Sequence, residues 1–440
     1  MSLLGAIFGW SYWRPWSSSR ADWYDSMTAN GNETNTSDKW SDGNDRVSID
    51  SVRARDTGAN VINMGRGQDT LNIFGRVESE DNSRNEINLG EGSSRLSITG
   101  SVQAFDHGTN NIIAASGDDD VTINSGLRAS DSAKNTINLG DGDNSLYISY
   151  GVDSYDKAAN IITTGGDDDT ITISSGLYSE FDNSINAGGG DNCVTIRGGL
   201  GANGGDNSIL CGDGNDTVCI WGVTRATDGG ENRVETGGGN DVISLHGNVE
   251  AGALTIDAGD RYDTLVLNGS RVSLFETAYE DWLTDYAAAP GGLASMNVEN
   301  FEVTLTRTAG ISDLQWLSDL TAKANINLQL NINGNGRNLN LNSFFEDGDD
   351  VFHTLSMEGG ARNTLTIDGT LSDNHYDDQW LRILGDSNDT VRLSGAEWKS
   401  TDGPATVQGA PVGHPMYSYD YYTNIEGDML AVQNGINVIV

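Results

Sequence analysis

The sequence is poor in cysteine, in basic residues and in long apolar runs. Its 440 residues include 3 cysteines, and 25 lysines and arginines stand against 64 aspartates and glutamates, which gives a formal net charge of −39. Three cysteines exclude a disulfide framework. A field this negative excludes nucleic acid and anionic membranes as partners, and no run approaches the ~18 consecutive apolar residues of a membrane span. The surplus of carboxylates instead favours cations as ligands.

Hydrophobic residues are also scarce, whereas glycine is abundant. Hydrophobic residues make up 36% of the chain, and its 56 glycines lie well above the average share of about 7%. Such a composition cannot supply a thick layered core, but it can fill a thin, repetitive one. The opening MSLLGAIFGW lacks a basic n-region and a small-residue cleavage site, so we expect it to be retained rather than removed as a signal peptide.

A strand-like pattern recurs through the first part of the chain. Each copy ends on an inward aliphatic residue, with a second one two positions earlier, and successive copies lie 22 to 25 residues apart. These anchor residues are Ile49, Ile73, Ile98, Ile123, Ile148, Ile173, Ile196, Ile220, Leu245 and Leu267. Period-two alternation predicts a strand with one buried face, and two further inward positions predict three short strands per copy. We therefore predict an all-β fold, a right-handed parallel β-solenoid of about ten coils, on the order of 48 Å long.

An asparagine recurs two positions before the inward residue of the third strand, from Asn60 to Asn232. Stacked side-chain amides can hydrogen-bond to one another along a solenoid. Asparagine is also simply a good turn residue. The fixed register favours a ladder of amides over the simpler interpretation.

The phrase GDGNDTVCI, at Gly212–Ile220, recurs in variant forms before the anchors. It has glycines eight and six residues before the anchor and an aspartate four residues before it. Glycine lets the backbone reach positive φ and turn its carbonyls toward a ligand, and aspartate adds a carboxylate. Calcium takes ~6–8 oxygen ligands, so two stacked turns would have to share each ion. The alternative is a row of ordinary Gly–Asp turns, but carboxylates stacked in register would repel one another without cations.

The phrase resembles the glycine–aspartate nonapeptide of the RTX (repeats-in-toxin, haemolysin-type calcium-binding) family, and GRGQDTLNI resembles it as well. The resemblance is best over residues 41–269 and looser over 297–440. It implies a β-roll that binds several Ca²⁺ ions through glycine carbonyls and aspartates. The predicted metal ligands are Asp45, Gly65, Gly67, Asp69, Gly117, Asp119, Gly142, Asp143, Asp169, Gly212, Gly214, Asp216, Gly237, Gly239, Asp241, Asp263 and Asp389.

The chain departs from the family pattern in its spacing. The family places such turns on both flanks of a shorter coil, whereas here the phrase occurs once per repeat of up to 25 residues. The opposite flank carries its own aspartates, which predict either a second row of cations or turns closed by their own carboxylates. These residues are Asp56, Asp81, Asp106, Asp131 and Asp156.

The repeat divides the chain into three predicted regions. Residues 1–40 are rich in Trp and Tyr and would form a cap on the open end of the solenoid or a docking surface. Residues 41–269 form the calcium-binding solenoid. Residues 270–440 are expected to be mainly β, with two short helices near residues 275–286 and 311–324. The end of this last region resembles the C-terminal part of RTX adhesins, which carries an uncleaved type I secretion signal.

No catalytic arrangement is visible in the sequence. The HExxH and GxSxG motifs of RTX protease and lipase modules are absent, so we predict no enzyme, no catalytic residues and no cofactor besides Ca²⁺. The predicted function is that of an extracellular structural protein that self-assembles head to tail into a filament, matrix or surface layer. One alternative is a calcium-dependent adhesin for glycans or a host surface, which an exposed aromatic pocket near Trp398 or Tyr417 would favour. The other is a polysaccharide-active β-helix enzyme.

Overall fold

The computed structural model describes residues 21–37, 42–247, 254–261, 263–269, 296–297, 300–305, 327–332, 338–340, 352–357, 362–368, 381–401, 418–425 and 429–440. The two helices predicted near residues 275–286 and 311–324 lie outside these ranges. The described residues form strands and turns. Among them there is no helix long and apolar enough to cross a membrane.

Three parallel sheets form the predicted β-solenoid. Each coil up to Arg225–Thr227 adds one strand to each sheet, and equivalent residues of successive coils pair directly, as Ile73 does with Ile98. The sequence prediction of a parallel β-solenoid is therefore confirmed. The strands of the first sheet, up to residue 269, are Ala21–Tyr24, Arg46–Ile49, Thr70–Ile73, Arg95–Ile98, Asp120–Ile123, Ser145–Ile148, Thr170–Ile173, Cys193–Ile196, Thr217–Ile220, Val242–Leu245 and Thr264–Gly269.

The second and third sheets complete each coil. The 9 strands of the second sheet are Met27–Gly31, Val52–Asp56, Val77–Ser79, Val102–Ala104, Leu127–Ala129, Val152–Ser154, Leu177–Ser179, Leu200–Asn203 and Arg225–Thr227. The 11 strands of the third sheet are Thr34–Ser37, Ala59–Asn63, Arg84–Glu91, Thr109–Ser116, Lys134–Asn138, Ala159–Thr163, Asp182–Asn186, Asp206–Leu210, Glu231–Glu235, Leu254–Asp257 and Met296–Asn297.

The sheets extend beyond the predicted solenoid of residues 41–269 at both ends. The strands within residues 21–37 form a coil of their own and pair in parallel with the coil that follows. After residue 269 the first sheet gains the parallel strands Asn300–Leu305, Asn327–Ile332, Phe352–Ser356, Leu381–Leu384 and Met429–Gln433. It ends in the antiparallel strands Tyr419–Thr423 and Lys399–Thr401. A separate parallel sheet consists of Asn338–Asn340, Thr364–Asp368, Thr390–Ser394 and Asn437–Ile439.

The core is a stack of inward-facing aliphatic columns. In strand Thr70–Ile73, Leu71 and Ile73 are fully buried whereas Asn72 is partly exposed. Ile73 stacks between its register partners in the neighbouring coils, Ile49 and Ile98. Burying such a side chain contributes about 1.5–3 kcal/mol, and only stacking makes that burial complete.

The predicted asparagine ladder is present and is one coil longer than the sequence suggested. Each Nδ2 donates to the Oδ1 of the asparagine in the next coil at 2.8–3.0 Å. Eight of these amides also donate to a backbone carbonyl of their own coil, as Asn60 does to Arg53 at 2.7 Å. The members are Asn35, Asn60, Asn85, Asn110, Asn135, Asn160, Asn183, Asn207 and Asn232. The ladder fixes the register of one corner of the solenoid.

Candidate metal-binding column

The turn from the third sheet to the first ends, in each repeat, on one inward-facing polar residue. This residue lies directly before the first-sheet strand and four residues before the anchor. Because side chains alternate in direction along a strand, its side chain points inward, as the buried aliphatic side chains do. We call these positions the column residues: Asp45, Asp69, Ser94, Asp119, Asn144, Asp169, Asn192, Asp216, Asp241 and Asp263. Asp45 is partly exposed, and the others are at most 3% exposed.

The column residues form a continuous ladder of hydrogen bonds. The backbone N–H of each one donates to the side-chain oxygen of the column residue in the next coil. Asp45 donates in this way to Asp69 Oδ1 at 2.8 Å, and Asp216 donates to Asp241 Oδ1 at 2.8 Å. One side-chain oxygen of each column residue from Asp69 onward is thus committed to the backbone.

The second carboxylate oxygen of the buried aspartates has no hydrogen-bond donor. The atoms concerned are Oδ2 of Asp69, Asp119, Asp169, Asp216 and Asp241. A buried carboxylate is costly unless it is paired, takes up a proton or coordinates a metal. The same unsatisfied atom recurs at the same place in five coils. This repetition makes the unsatisfied oxygen a shared feature of these coils rather than a local defect of packing.

Two asparagines in the column show what surrounds this second atom. Asn144 Nδ2 donates to the carbonyls of Gly140 at 3.0 Å and Gly142 at 2.7 Å, and Asn192 Nδ2 donates to the carbonyl of Gly190 at 3.0 Å. Asparagine Oδ1 makes the same ladder bond as aspartate Oδ1. Asparagine Nδ2 and aspartate Oδ2 therefore occupy equivalent places.

The predicted glycines of the aspartate coils have the same spacing as the glycines whose carbonyls accept from Asn144. Gly65 and Gly67 lie four and two residues before Asp69. The same spacing places Gly212 and Gly214 before Asp216, Gly237 and Gly239 before Asp241, and Gly117 before Asp119. The aspartate coils thus share with the Asn144 coil the spacing that places glycine carbonyls near the column side chain.

These glycines also have a purely steric role. Gly67 has φ of 144°, and a Cβ there would lie 2.5 Å from the carbonyl oxygen of Gly43 in the preceding coil. Gly142 has φ of 112°, and a Cβ there would lie 2.6 Å from the backbone of Gly117. Only glycine combines the positive φ with such close stacking. Glycine at these positions is therefore required with or without a ligand, and the free carboxylate oxygens are the more specific signal.

Burial dominates the electrostatics of the column. Desolvation raises the pKa of Asp119 from 3.8 to about 7 and that of Asp216 to about 6. Desolvation also raises the pKa of Asp69, Asp169 and Asp241. A nearby cation would have the opposite effect, because it stabilises the ionised form.

Asp143 does not share this environment. It is exposed, and its Oδ1 accepts a hydrogen bond from the backbone N–H of Asp168 in the next coil at 3.2 Å. Asp168 Oδ1 accepts in turn from the N–H of Asp191 at 2.7 Å. An exposed ladder therefore runs beside the buried one, with its hydrogen bonds in the opposite direction. Asp143 helps to hold successive turns together at the surface.

Asp389, in the C-terminal copy of the phrase, is buried but already satisfied. Its Oδ1 accepts hydrogen bonds from the backbone N–H and Nδ2 of Asn363 at 3.0 and 3.1 Å. Its Oδ2 accepts from the backbone N–H of Asp386 at 3.0 Å. Asp389 thus closes its own turn and lacks the free oxygen of the column aspartates.

The aspartates of the opposite flank occupy left-handed turn positions. Their φ angles lie between 46° and 60°, and their side chains are exposed; they are Asp56, Asp81, Asp106, Asp131 and Asp156. In one such turn the carbonyl of Phe105 accepts the N–H of Gly108 at 2.8 Å across Asp106 and His107, both at positive φ. Aspartate tolerates this conformation better than most residues. This geometry favours the turn interpretation over a second row of cations.

Side chains alone do not assemble a metal site in the part of the chain that the structure describes. No three His, Cys, Asp or Glu side chains lie there in a group that could hold a metal ion. The column supplies one inward carboxylate per aspartate coil, so a cation would take its other oxygens from backbone carbonyls and water. Sequence reasoning missed the ladder bonds and the amide contacts of the asparagines. The interchange of Asp, Asn and Ser at one position was the available signal, because all three carry an acceptor oxygen.

No family model matches the chain, and neither does any curated protein or any solved structure. The parallel β-solenoid and its repeat spacing are compatible with an RTX-type repeat.

Proposed function

We propose that this chain is an extracellular structural protein whose solenoid is held together by Ca²⁺ ions. The observation that carries the proposal is the row of buried carboxylate oxygens without donors, at the column position where the Asn144 amide donates to glycine carbonyls in its own coil. The net charge of −39 also attracts cations to the chain as a whole. Calcium fits this donor set because it prefers carboxylate and carbonyl oxygens and tolerates irregular geometry.

Each aspartate turn offers an incomplete ligand set. In one turn these ligands are Asp216 Oδ2 and the carbonyls of Gly212 and Gly214. Calcium takes ~6–8 oxygens, so the remaining ligands come from the adjacent coil or from water. A bound ion supplies positive charge that neutralises the buried carboxylate. Ions of this kind would link successive coils and make the fold depend on calcium.

Calcium removal tests this proposal. Protein dialysed against a chelator at neutral pH should lose most of its β signal in far-UV circular dichroism, and added calcium should restore it. Magnesium is the matched control, because it demands octahedral geometry and gives up its water reluctantly. A full β spectrum in excess chelator would contradict the proposal.

Head-to-tail assembly is the second part of the proposal. Among the described residues, the first-coil strands Met27–Gly31 and Thr34–Ser37 each pair with one strand, that of the following coil. Strand edges of this kind recruit further strands unless they are covered. The opposite end of the first sheet is an antiparallel arrangement, so the two ends differ. Contacts between unlike ends propagate into fibres unless they close into rings.

Electron microscopy and sedimentation in millimolar calcium test assembly. Deleting residues 1–16, which lie outside the described ranges, should leave calcium binding and the β signal intact but abolish assembly. Tyr150→Ala is the control, because Tyr150 is 64% exposed within a coil near the middle of the repeat series, far from either end. Full-length protein that stays monomeric at high concentration would contradict the structural role.

One exposed aromatic pair favours the adhesin as a second candidate. Trp221 is 52% exposed and stacks on His246 at 3.7 Å between ring centroids. Trp398, which the sequence suggested for this role, is only 4% exposed and packs in the core, and Tyr417 lies outside the described residues. Glycan-array binding that Trp221→Ala abolishes would support the adhesin. Unchanged binding would remove this surface as its basis.

A further inference from the structure

We propose that Asn144 and Asn192 replace metal ions in their own coils, so that the row of cations is interrupted by amides. This inference rests on the proposed calcium binding and adds to it which coils bind an ion and which do not. The structure gives asparagine in this column a role different from that of aspartate.

The argument begins with the hydrogen bonds of Asn144. Its Oδ1 accepts the backbone N–H of Asp119 at 3.0 Å, as an aspartate oxygen does elsewhere in the column. Its Nδ2 donates to the carbonyls of Gly140 at 3.0 Å and Gly142 at 2.7 Å. Both polar atoms of this side chain are therefore satisfied within the protein. The carbonyls that would coordinate an ion already receive hydrogen-bond donors.

Asn192 repeats this arrangement less tightly. Its Oδ1 accepts the N–H of Asp169 at 3.0 Å, and its Nδ2 donates to Gly190 at 3.0 Å. Longer contacts reach Gly189 at 3.4 Å and Gly188 at 3.5 Å. An amide N–H₂ thus lies among several carbonyl oxygens, which is the position a cation would occupy.

The neighbouring coils have the opposite chemistry. Asp119 and Asp169 flank Asn144, and Asp169 and Asp216 flank Asn192, and each of these aspartates has a buried oxygen without a donor. Aspartate has the same shape as asparagine but brings an acceptor where the amide brings a donor. The aspartate coils therefore need a cation to satisfy the free carboxylate oxygen of the column residue. In the asparagine coils, the protein itself satisfies both polar atoms of that residue.

The alternation also separates the ions. Adjacent coils lie ~4.8 Å apart, so divalent ions in successive coils would repel strongly. An intervening amide coil roughly doubles that distance and carries no charge. From Asp119 to Asp216 the column residues alternate between acid and amide. Within this stretch the amide coils thus reduce the electrostatic cost of the row and hold the turn in register between ions, whereas Asp216 and Asp241 lie in successive coils without this separation.

The decisive experiment converts one type of coil into the other. Asn144→Asp should increase the calcium bound per chain by one ion, measured by equilibrium dialysis with elemental analysis, and should lower the melting temperature in calcium-free buffer. Asp119→Asn should do the reverse, with one ion fewer and a higher calcium-free melting temperature. Asn138→Asp is the matched control, because this exposed asparagine lies in the same coil and only its oxygen is used, by the N–H of Gly140 at 3.2 Å.

The outcomes separate this inference from the proposed function. No calcium bound by the wild-type protein would overturn both. Calcium bound by the wild type, with the stoichiometry unchanged in both Asn144→Asp and Asp119→Asn, would overturn the amide inference alone. If Asn144→Asp fails to fold, Asp119→Asn still decides the question, since it removes a charge and supplies a donor that its coil lacks.

Discussion

Without calcium, the stability of this protein should fall as the pH rises, which is the reverse of ordinary acid denaturation. Burial raises the pKa of Asp119 from 3.8 to about 7 and that of Asp216 to about 6 in the folded chain. Between 3.8 and these values, the folded state holds more protons than the unfolded state. The free energy of unfolding therefore decreases as the pH rises through this window.

The expected magnitude is large enough to decide whether the calcium-free protein folds. At 1.36 kcal/mol per pH unit, the pKa of Asp119 corresponds to roughly 4 kcal/mol and that of Asp216 to roughly 3 kcal/mol. The two side chains are four coils apart, so their contributions should add. Their sum of roughly 7 kcal/mol is comparable with the ~5–15 kcal/mol that stabilises a typical folded protein.

Thermal unfolding of calcium-free protein at about pH 5 and about pH 8, followed by circular dichroism, measures the part of this effect that lies above pH 5, which is roughly 4 kcal/mol for the two groups. The melting temperature should be clearly lower at the higher pH. Excess calcium should restore it there, because the ion pairs with the ionised carboxylates. The double variant Asp119→Asn/Asp216→Asn removes both titrating groups and should reduce the pH dependence. A calcium-free protein that is equally stable or more stable at the higher pH would refute the reasoning.

Two further predictions concern the scaffold. Asn110→Ala removes two donated hydrogen bonds and one accepted bond from a fully enclosed ladder and should cost roughly 3 kcal/mol or more in chemical denaturation. The adjacent Asn111→Ala, on a partly exposed side chain, should stay within about 0.5 kcal/mol; equal costs would show that the ladder is not stabilising. Gly142→Ala places a Cβ 2.6 Å from the backbone of Gly117 at φ of 112°, whereas Gly435→Ala at φ of 108° meets nothing within 4 Å. The second variant should lose only the roughly 1–2 kcal/mol of left-handed backbone strain, the first clearly more, and similar losses would argue against close stacking.

Several features were predictable because they depend on local spacing. The anchor residues repeat at intervals that place inward aliphatics above one another, so the parallel sheets followed from the period alone. The asparagine ladder followed in the same way, since a fixed register in consecutive coils puts amide above amide. The coil at residues 21–37 was not predicted, because its strands carry few aliphatic residues and its cluster of aromatics suggested a cap.

The sequence by itself determined the repeat, the inward direction of the column side chains and the chemistry of those side chains. Only the tertiary structure decided which oxygen atoms are satisfied. Asp119 and Asp389 stand in similar phrases, yet one has an oxygen without a donor and the other has both oxygens bonded. Asp143 and Asn144 are adjacent in the sequence, yet the side chain of Asp143 is exposed, whereas the amide of Asn144 is buried and donates to a backbone carbonyl of its own turn. The physical reason is that the column bonds join neighbouring turns, and the bonds within a turn need the backbone conformation that stacking holds in place. Stacking is set by all three sheets together rather than by any single turn.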